Sequence, residues 1–195
     1  MPKYFVFLMI EDSLLRKYLD LAIFALNPDE QWFAHVTVAG PFRRKIELPR
    51  ALEFHQQVSI LGIGRFDNGA RQTIYLNVNS IDLPLHMNKP DFKDAVPHLT
   101  LYNGPDRELA DALEAELSEK RLFGRFYTTS FRLVESRPQR GFDLAYSIDT
   151  SLLPRTAGYV ADDFRTLSQS ERIAIAVDAL DVGLTRRFYD HAATA

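Results

Sequence analysis

The chain has no cysteine, which excludes disulfides, thiolate nucleophiles and cysteine-ligated metal centres and leaves the redox compartment unreadable. It has no excess of positive charge either: 23 Lys and Arg against 26 Asp and Glu give a formal net charge of −3. A dedicated binder of long duplex nucleic acid would show a basic surplus, so only a local basic cleft stays open. Long apolar runs are also missing. The longest near the start, Tyr4 to Ile10, spans seven residues and is followed by Glu11 and Asp12, too short for a signal-peptide core or a membrane span. The expectation is a cytoplasmic protein with no membrane partner. The five histidines show no zinc-ligand spacing, so no metal and no other cofactor is expected. What is present is ordinary for a globular protein: 195 residues, 46% hydrophobic and 25% charged, enough for one well-buried domain or two small lobes sharing a cleft.

Two passages stand out from that background. Residues 33–42 read FAHVTVAGPF and residues 96–105 read VPHLTLYNGP. Each runs apolar, His, apolar, Thr, apolar, then closes on Gly-Pro. The valines and leucines favour strands, and side chains alternate faces along a strand. His35 and Thr37 therefore project together while Val36 and Val38 face the other way; His98 and Thr100 repeat the pattern. The two histidines lie 63 residues apart, about one lobe of chain.

On these residues, His35-Val36-Thr37-Val38 with Gly40-Pro41-Phe42 and His98-Leu99-Thr100-Leu101, the chain resembles the two-histidine (2H) phosphoesterases. That family includes 2′-5′ RNA ligase-like proteins and 2′,3′-cyclic nucleotide phosphodiesterases. The resemblance covers residues 1–150. It implies an α+β fold of two pseudo-repeated lobes, each a small antiparallel sheet with a helix, facing a central cleft. It further implies hydrolysis of a 2′,3′-cyclic phosphate, or making or breaking of a 2′-5′ linkage. Residues 151–195 fall outside the pattern and form a C-terminal helical extension of unassigned role.

The rest of the chain supports that order of elements. Tyr4 to Ile10 reads as a buried strand, and from Leu14 the apolar residues fall at helical spacing until Asn27-Pro28. Glu47 to Gln57 is a weak helix candidate. Asp67-Asn68-Gly69 between two β-rich runs, Val58 to Phe66 and Thr73 to Val78, signals a hairpin. Ser80 to Ala95 reads as loop. Asp106 opens a helix striped with Leu109, Leu113 and Leu117. Phe126 to Val134 and Phe142 to Ile148 read as a closing antiparallel pair. Ser151 to Ala161 is loop-like, and Ser168 with Glu171 forms a capping-box pattern before the apolar face of Ile173, Val177, Leu180 and Leu184.

Imidazole titrates at roughly 6.5, so two histidines meeting across a cleft can hold opposite protonation states near neutral pH. One takes a proton from water or a ribose hydroxyl while the other donates to the departing oxygen. Thr37 and Thr100 would donate to non-bridging phosphate oxygens. The scheme needs no metal, and which histidine serves as acid is open at this point. A lone histidine on a strand is usually structural; here duplication favours catalysis. Phe42 and Tyr102 would stack on a base or else sit in the core, and Arg43, Arg137 and Arg140, with Arg44 and Lys45, would meet further phosphates or else be solvated. His55, His86 and His191 lack a matching threonine and are given no role. The expected partner is a small nucleotide or an RNA end. The rival reading is a binding module that uses the same cleft without turnover, and nothing in the sequence decides between monomer and dimer.

Overall fold

The computed structural model describes residues 3–29, 32–47, 56–79, 96–128, 131–136 and 164–186. In chain order these form β1 (Lys3–Met9), α1 (Ser13–Leu26), β2 (His35–Phe42), β3 (Gln56–Asp67), β4 (Gln72–Asn79), β5 (His98–Gly104), α2 (Arg107–Ser118), β6 (Phe123–Thr128), β7 (Phe131–Ser136) and α3 (Gln169–Leu180). A short 3-10 turn (Phe164–Thr166) precedes α3 and a π-helical turn (Asp181–Arg186) follows it. The protein is α+β.

All seven strands belong to one sheet in the order β6-β3-β4-β5-β2-β1-β7, with antiparallel pairing throughout. Where two separate small sheets were expected, a single sheet is joined at its middle through β2 and β5. That joint is narrow: Thr37 opposite His98 is its one Cα pair. Phe126 to Val134, expected as a single strand, is two. β6 lies on the β3 edge and β7 on the β1 edge, and only residues 129 and 130 separate them. Six strand spacings of ~4.8 Å would hold flat edges ~29 Å apart, whereas three residue steps reach only ~11 Å. The sheet therefore curls until its edges approach, and Thr128 Oγ1 donates 2.7 Å to the Met9 carbonyl across the gap. The break was hidden because Thr128-Thr129-Ser130 contains neither Gly nor Pro.

One face of the sheet is covered by helices. Val6, Leu8, Val36, Val38, Ile60, Ile74, Leu76, Leu99 and Leu101 are buried there in one cluster with α1, α2 and α3. Asp12 caps α1, its Oδ1 accepting from Leu14 and Leu15 amides at 3.2 and 3.0 Å. α1 buries Leu15, Leu19 and Ile23 as a stripe, yet Leu21, Phe24 and Ala25 on its other side are buried too. The reason is that α1 is sandwiched, with the sheet beneath and α3 above. Two buried polar side chains of this segment tie it to the sheet. Asp20 Oδ1 accepts from the Ala34 amide at 2.6 Å, and Asn27 Nδ2 donates to the Leu101 carbonyl at 2.7 Å while its Oδ1 accepts from the Asn103 amide.

The hairpin forms as β3 and β4, with Gly69 at φ +74° in the connection, and α2 starts at Asp106, whose carboxylate accepts from the Leu109 amide. Of the weak helix candidate, Glu47 is irregular and Gln56 and Gln57 begin β3; residues 48–55, the 80–95 loop, the 142–148 strand and the 151–161 loop lie outside the described residues. The capping box at Ser168 and Glu171 forms. α3 does not stand apart as an extension: Ile175, Ala176 and Leu180 are fully buried in the common core, and Gly183 packs so closely that a Cβ there would meet Tyr18 at 2.6 Å.

That packing predicts a cost for thinning α3. Leu180→Ala should lower the unfolding free energy by about 2–5 kcal/mol in urea denaturation; an unchanged midpoint would mean that α3 contributes nothing to the core.

Candidate functional site

The face turned away from the helices carries the two motifs. In an antiparallel ladder, directly paired residues project to the same side. The pairings Arg132 with Phe7, Phe7 with Thr37, Thr37 with His98 and His98 with Asn77 therefore set five side chains in one row across five strands. Beside this row, Met9 pairs with His35 and Tyr75 with Thr100. His35, Thr37, His98 and Thr100 are all half-buried on this side, while Val36, Val38, Leu99 and Leu101 are buried on the other. The two histidines are close enough for the charge of one to bear on the other.

Both imidazoles are held in the same way. His35 Nδ1 lies 2.6 Å from the Phe33 carbonyl, and His98 Nδ1 lies 2.7 Å from the Val96 carbonyl, each two residues upstream. A carbonyl only accepts, so Nδ1 carries the proton and, in the neutral ring, Nε2 holds the lone pair. Phe7 packs on His35 with centroids 3.8 Å apart. Phe66 and Tyr75, stacked at 4.2 Å, present to His98 edge-on at 5.2 and 5.3 Å. Tyr75 can lie across β3 because Gly64 is beneath it; a Cβ at Gly64 would come within 2.5 Å of the ring.

This surrounding apolar wall sets the electrostatics. Burial lowers the His35 pKa to about 4, opposed by the Phe33 carbonyl and assisted by the charge of His98. Burial also lowers His98, opposed by the Val96 carbonyl. Both rings are thus neutral at pH 7 in the free protein, each presenting a basic Nε2. Asn77 is held by donating from Nδ2 to the Ile63 carbonyl at 2.6 Å.

The remaining sequence-based candidates are scattered. Phe42 is half-buried and packs on the core beyond two irregularities in the β1–β2 pairing. Tyr102 is only 6% exposed: a bulge between its pairing with Ile74 and that of Thr100 with Tyr75 turns it off the histidine face. Its hydroxyl accepts from the Asp106 amide at 3.0 Å, over Gly104, where any Cβ would collide with it. Tyr102 is a core residue. Arg43 is exposed just past β2, and Arg137 and Arg140 lie outside the described residues. Conversely Phe7, Phe66, Tyr75, Asn77 and Arg132 reach the histidine face without a motif to mark them; the only signal was the period-2 placement of Phe5 and Phe7 within an apolar run.

The chain matches no protein-family model and no curated protein sequence. Among the described residues, no group of three or more His, Asp or Glu side chains gathers to hold a metal, and no helix is long and apolar enough to cross a membrane.

A histidine whose folded pKa is depressed binds fewer protons folded than unfolded, so stability rises with pH between the two values. His35 should therefore stabilise the fold above pH ~6.5 and progressively cease to do so as the pH falls toward about 4. Denaturant titrations at pH 7.5 and 4.5 should show wild type losing about 2 kcal/mol more than His35→Gln between these conditions; equal losses would contradict a buried neutral His35.

Proposed function

We propose that the protein is a metal-independent phosphodiesterase of the two-histidine type, acting on a 2′,3′-cyclic phosphate or a 2′-5′ or 3′-5′ linked nucleotide or RNA end. The observation that carries this reading is the pairing of Thr37 with His98, which sets both His-x-Thr motifs on one face of the sheet, with neither Nε2 hydrogen-bonded to another described residue. In this reading the halves on either side of the β2–β5 joint are the two lobes, and the phosphate lies over the joint.

The chemistry follows from the donors present. Burial is the leading cause for both rings and weighs more on His35, which is held to about 4 with Phe7 packed at 3.8 Å, than on His98, so His98 is the easier ring to protonate. An entering phosphate anion favours the charged imidazole and raises its pKa. His98, protonated, then acts as acid and neutral His35 as base. His35 Nε2 takes a proton from the attacking water as its oxygen bonds to phosphorus. The bond from phosphorus to the ribose oxygen breaks, and His98 Nε2–H protonates that leaving oxygen. One proton is gained and one lost, and solvent exchange resets the pair. The Thr37 and Thr100 hydroxyls donate to the non-bridging oxygens, where charge accumulates. Neither hydroxyl is committed to a protein partner among the described residues.

The test is turnover of 2′,3′-cyclic nucleotides and of 2′-5′ and 3′-5′ dinucleotides in EDTA. His98→Ala should lower kcat/KM by about 10²–10⁴-fold, and Thr37→Val by about 10²–10³-fold. Because kcat/KM reports the free enzyme's groups and burial holds His98 below the ordinary imidazole value of ~6.5, kcat/KM should already be declining below pH ~6.5 and continue to fall as the pH rises. Undiminished turnover by His98→Ala would contradict the assignment. Saturable nucleotide binding with no product across the panel would favour the non-catalytic binding module.

A further inference from the structure

The five-residue row that contains Thr37 and His98 ends at Arg132 on β7. Arg132 is exposed, and its neighbours Phe131 and Leu133 pack on the core, so the alternation of β7 sends Arg132 to the histidine face. Among the described residues it makes no ion pair or hydrogen bond, in contrast to Arg65 and Arg107, which are committed to Asp111, Glu114 and Asp67. Its Cα stands two strand spacings from that of Thr37, ~10 Å, with only the Phe7 position between. A guanidinium on its long stem spans part of that distance along the row, toward the phosphate position but short of it.

The two flanks of the joint are chemically unlike. Beyond His98 lie the stacked rings of Phe66 and Tyr75, suited to an apolar or aromatic group. Beyond Thr37 lies Phe7 and then a planar cation whose fork matches phosphate oxygens. Resting on the phosphodiesterase reading above, we infer that Arg132 forms a second phosphate subsite. The substrate class is then an oligonucleotide or a terminally phosphorylated dinucleotide, with a further phosphate one nucleotide from the cleaved bond, in preference to a mononucleoside cyclic phosphate.

The experiment compares 2′-5′ and 3′-5′ dinucleotides with and without a terminal 5′- or 3′-phosphate. In wild type, one terminal phosphate should raise kcat/KM by about tenfold, chiefly through KM, as expected for one charge-assisted contact. In Arg132→Gln that ratio should fall to near one, with partial recovery in Arg132→Lys. Arg107→Gln, on α2 and ion-paired with Asp67, should leave the ratio as in wild type. A wild-type ratio near one, or a ratio insensitive to Arg132→Gln, overturns the subsite while His98-dependent turnover keeps the phosphodiesterase reading. If no compound is turned over, that reading fails. Calorimetric titration of the same compounds then decides: a tenfold affinity gain lost in Arg132→Gln supports the subsite, and equal affinities overturn it.

Discussion

The site depends on one backbone contact, the pairing of β2 with β5 where Thr37 faces His98. A slip of a single residue there would turn Val36 or Leu99 to the histidine face and drive the histidines into the core. Burial opposes that slip. Val36, Val38, Leu99 and Leu101 are each at most 3% exposed beneath the helices, and each contributes about 1.5–3 kcal/mol by leaving water. The α1 segment adds direction to this non-directional force. Asp20 grips the chain at Ala34, one residue before His35, and Asn27 grips β5 at Leu101 and Asn103. A single helix thus registers both motif strands through its two buried polar side chains.

The same burial that secures the strands shapes the imidazoles. Rings packed on Phe7, Phe66 and Tyr75 lose hydration, and losing hydration disfavours the cation. The Phe33 and Val96 carbonyls counter part of that cost and lock the tautomer, so that Nε2 is left for chemistry on both rings. Under the proposed reading, a phosphate bound beside two neutral bases in an apolar wall would supply the opposite charge that lets one ring protonate while the other stays basic. Binding and protonation are then one linked event.

Much of this was legible in the sequence because local rules carried it. Period-2 alternation put His35 with Thr37 and His98 with Thr100, Asn68-Gly69 marked the hairpin, and Asp12, Asp106 and Ser168 marked helix starts. What stayed hidden was non-local. Nothing near Thr37 tells that its partner is His98. The bulge that buries Tyr102 arises from pairing with β4, and the parting of β6 from β7 arises from pairing with strands far back in the chain. Leu21, Phe24 and Ala25 on the second side of α1 are buried because another helix, α3, covers it, which helical spacing alone does not tell. Arg132, a single cation in Phe131-Arg132-Leu133-Val134, gained meaning only once β7 was seen to pair with β1.

The central claim is that both imidazoles share one hollow with Nε2 exposed to it. Two-bond ¹H–¹⁵N spectra of the histidine rings, recorded at pH 7 during titration with nucleoside 2′- and 3′-monophosphates, test it most directly. Two rings in the neutral Nδ1–H form, with both Nε2 resonances moving on the same binding curve, is the result the account predicts. An Nε2–H tautomer at either ring, or a response confined to one of them, would contradict it.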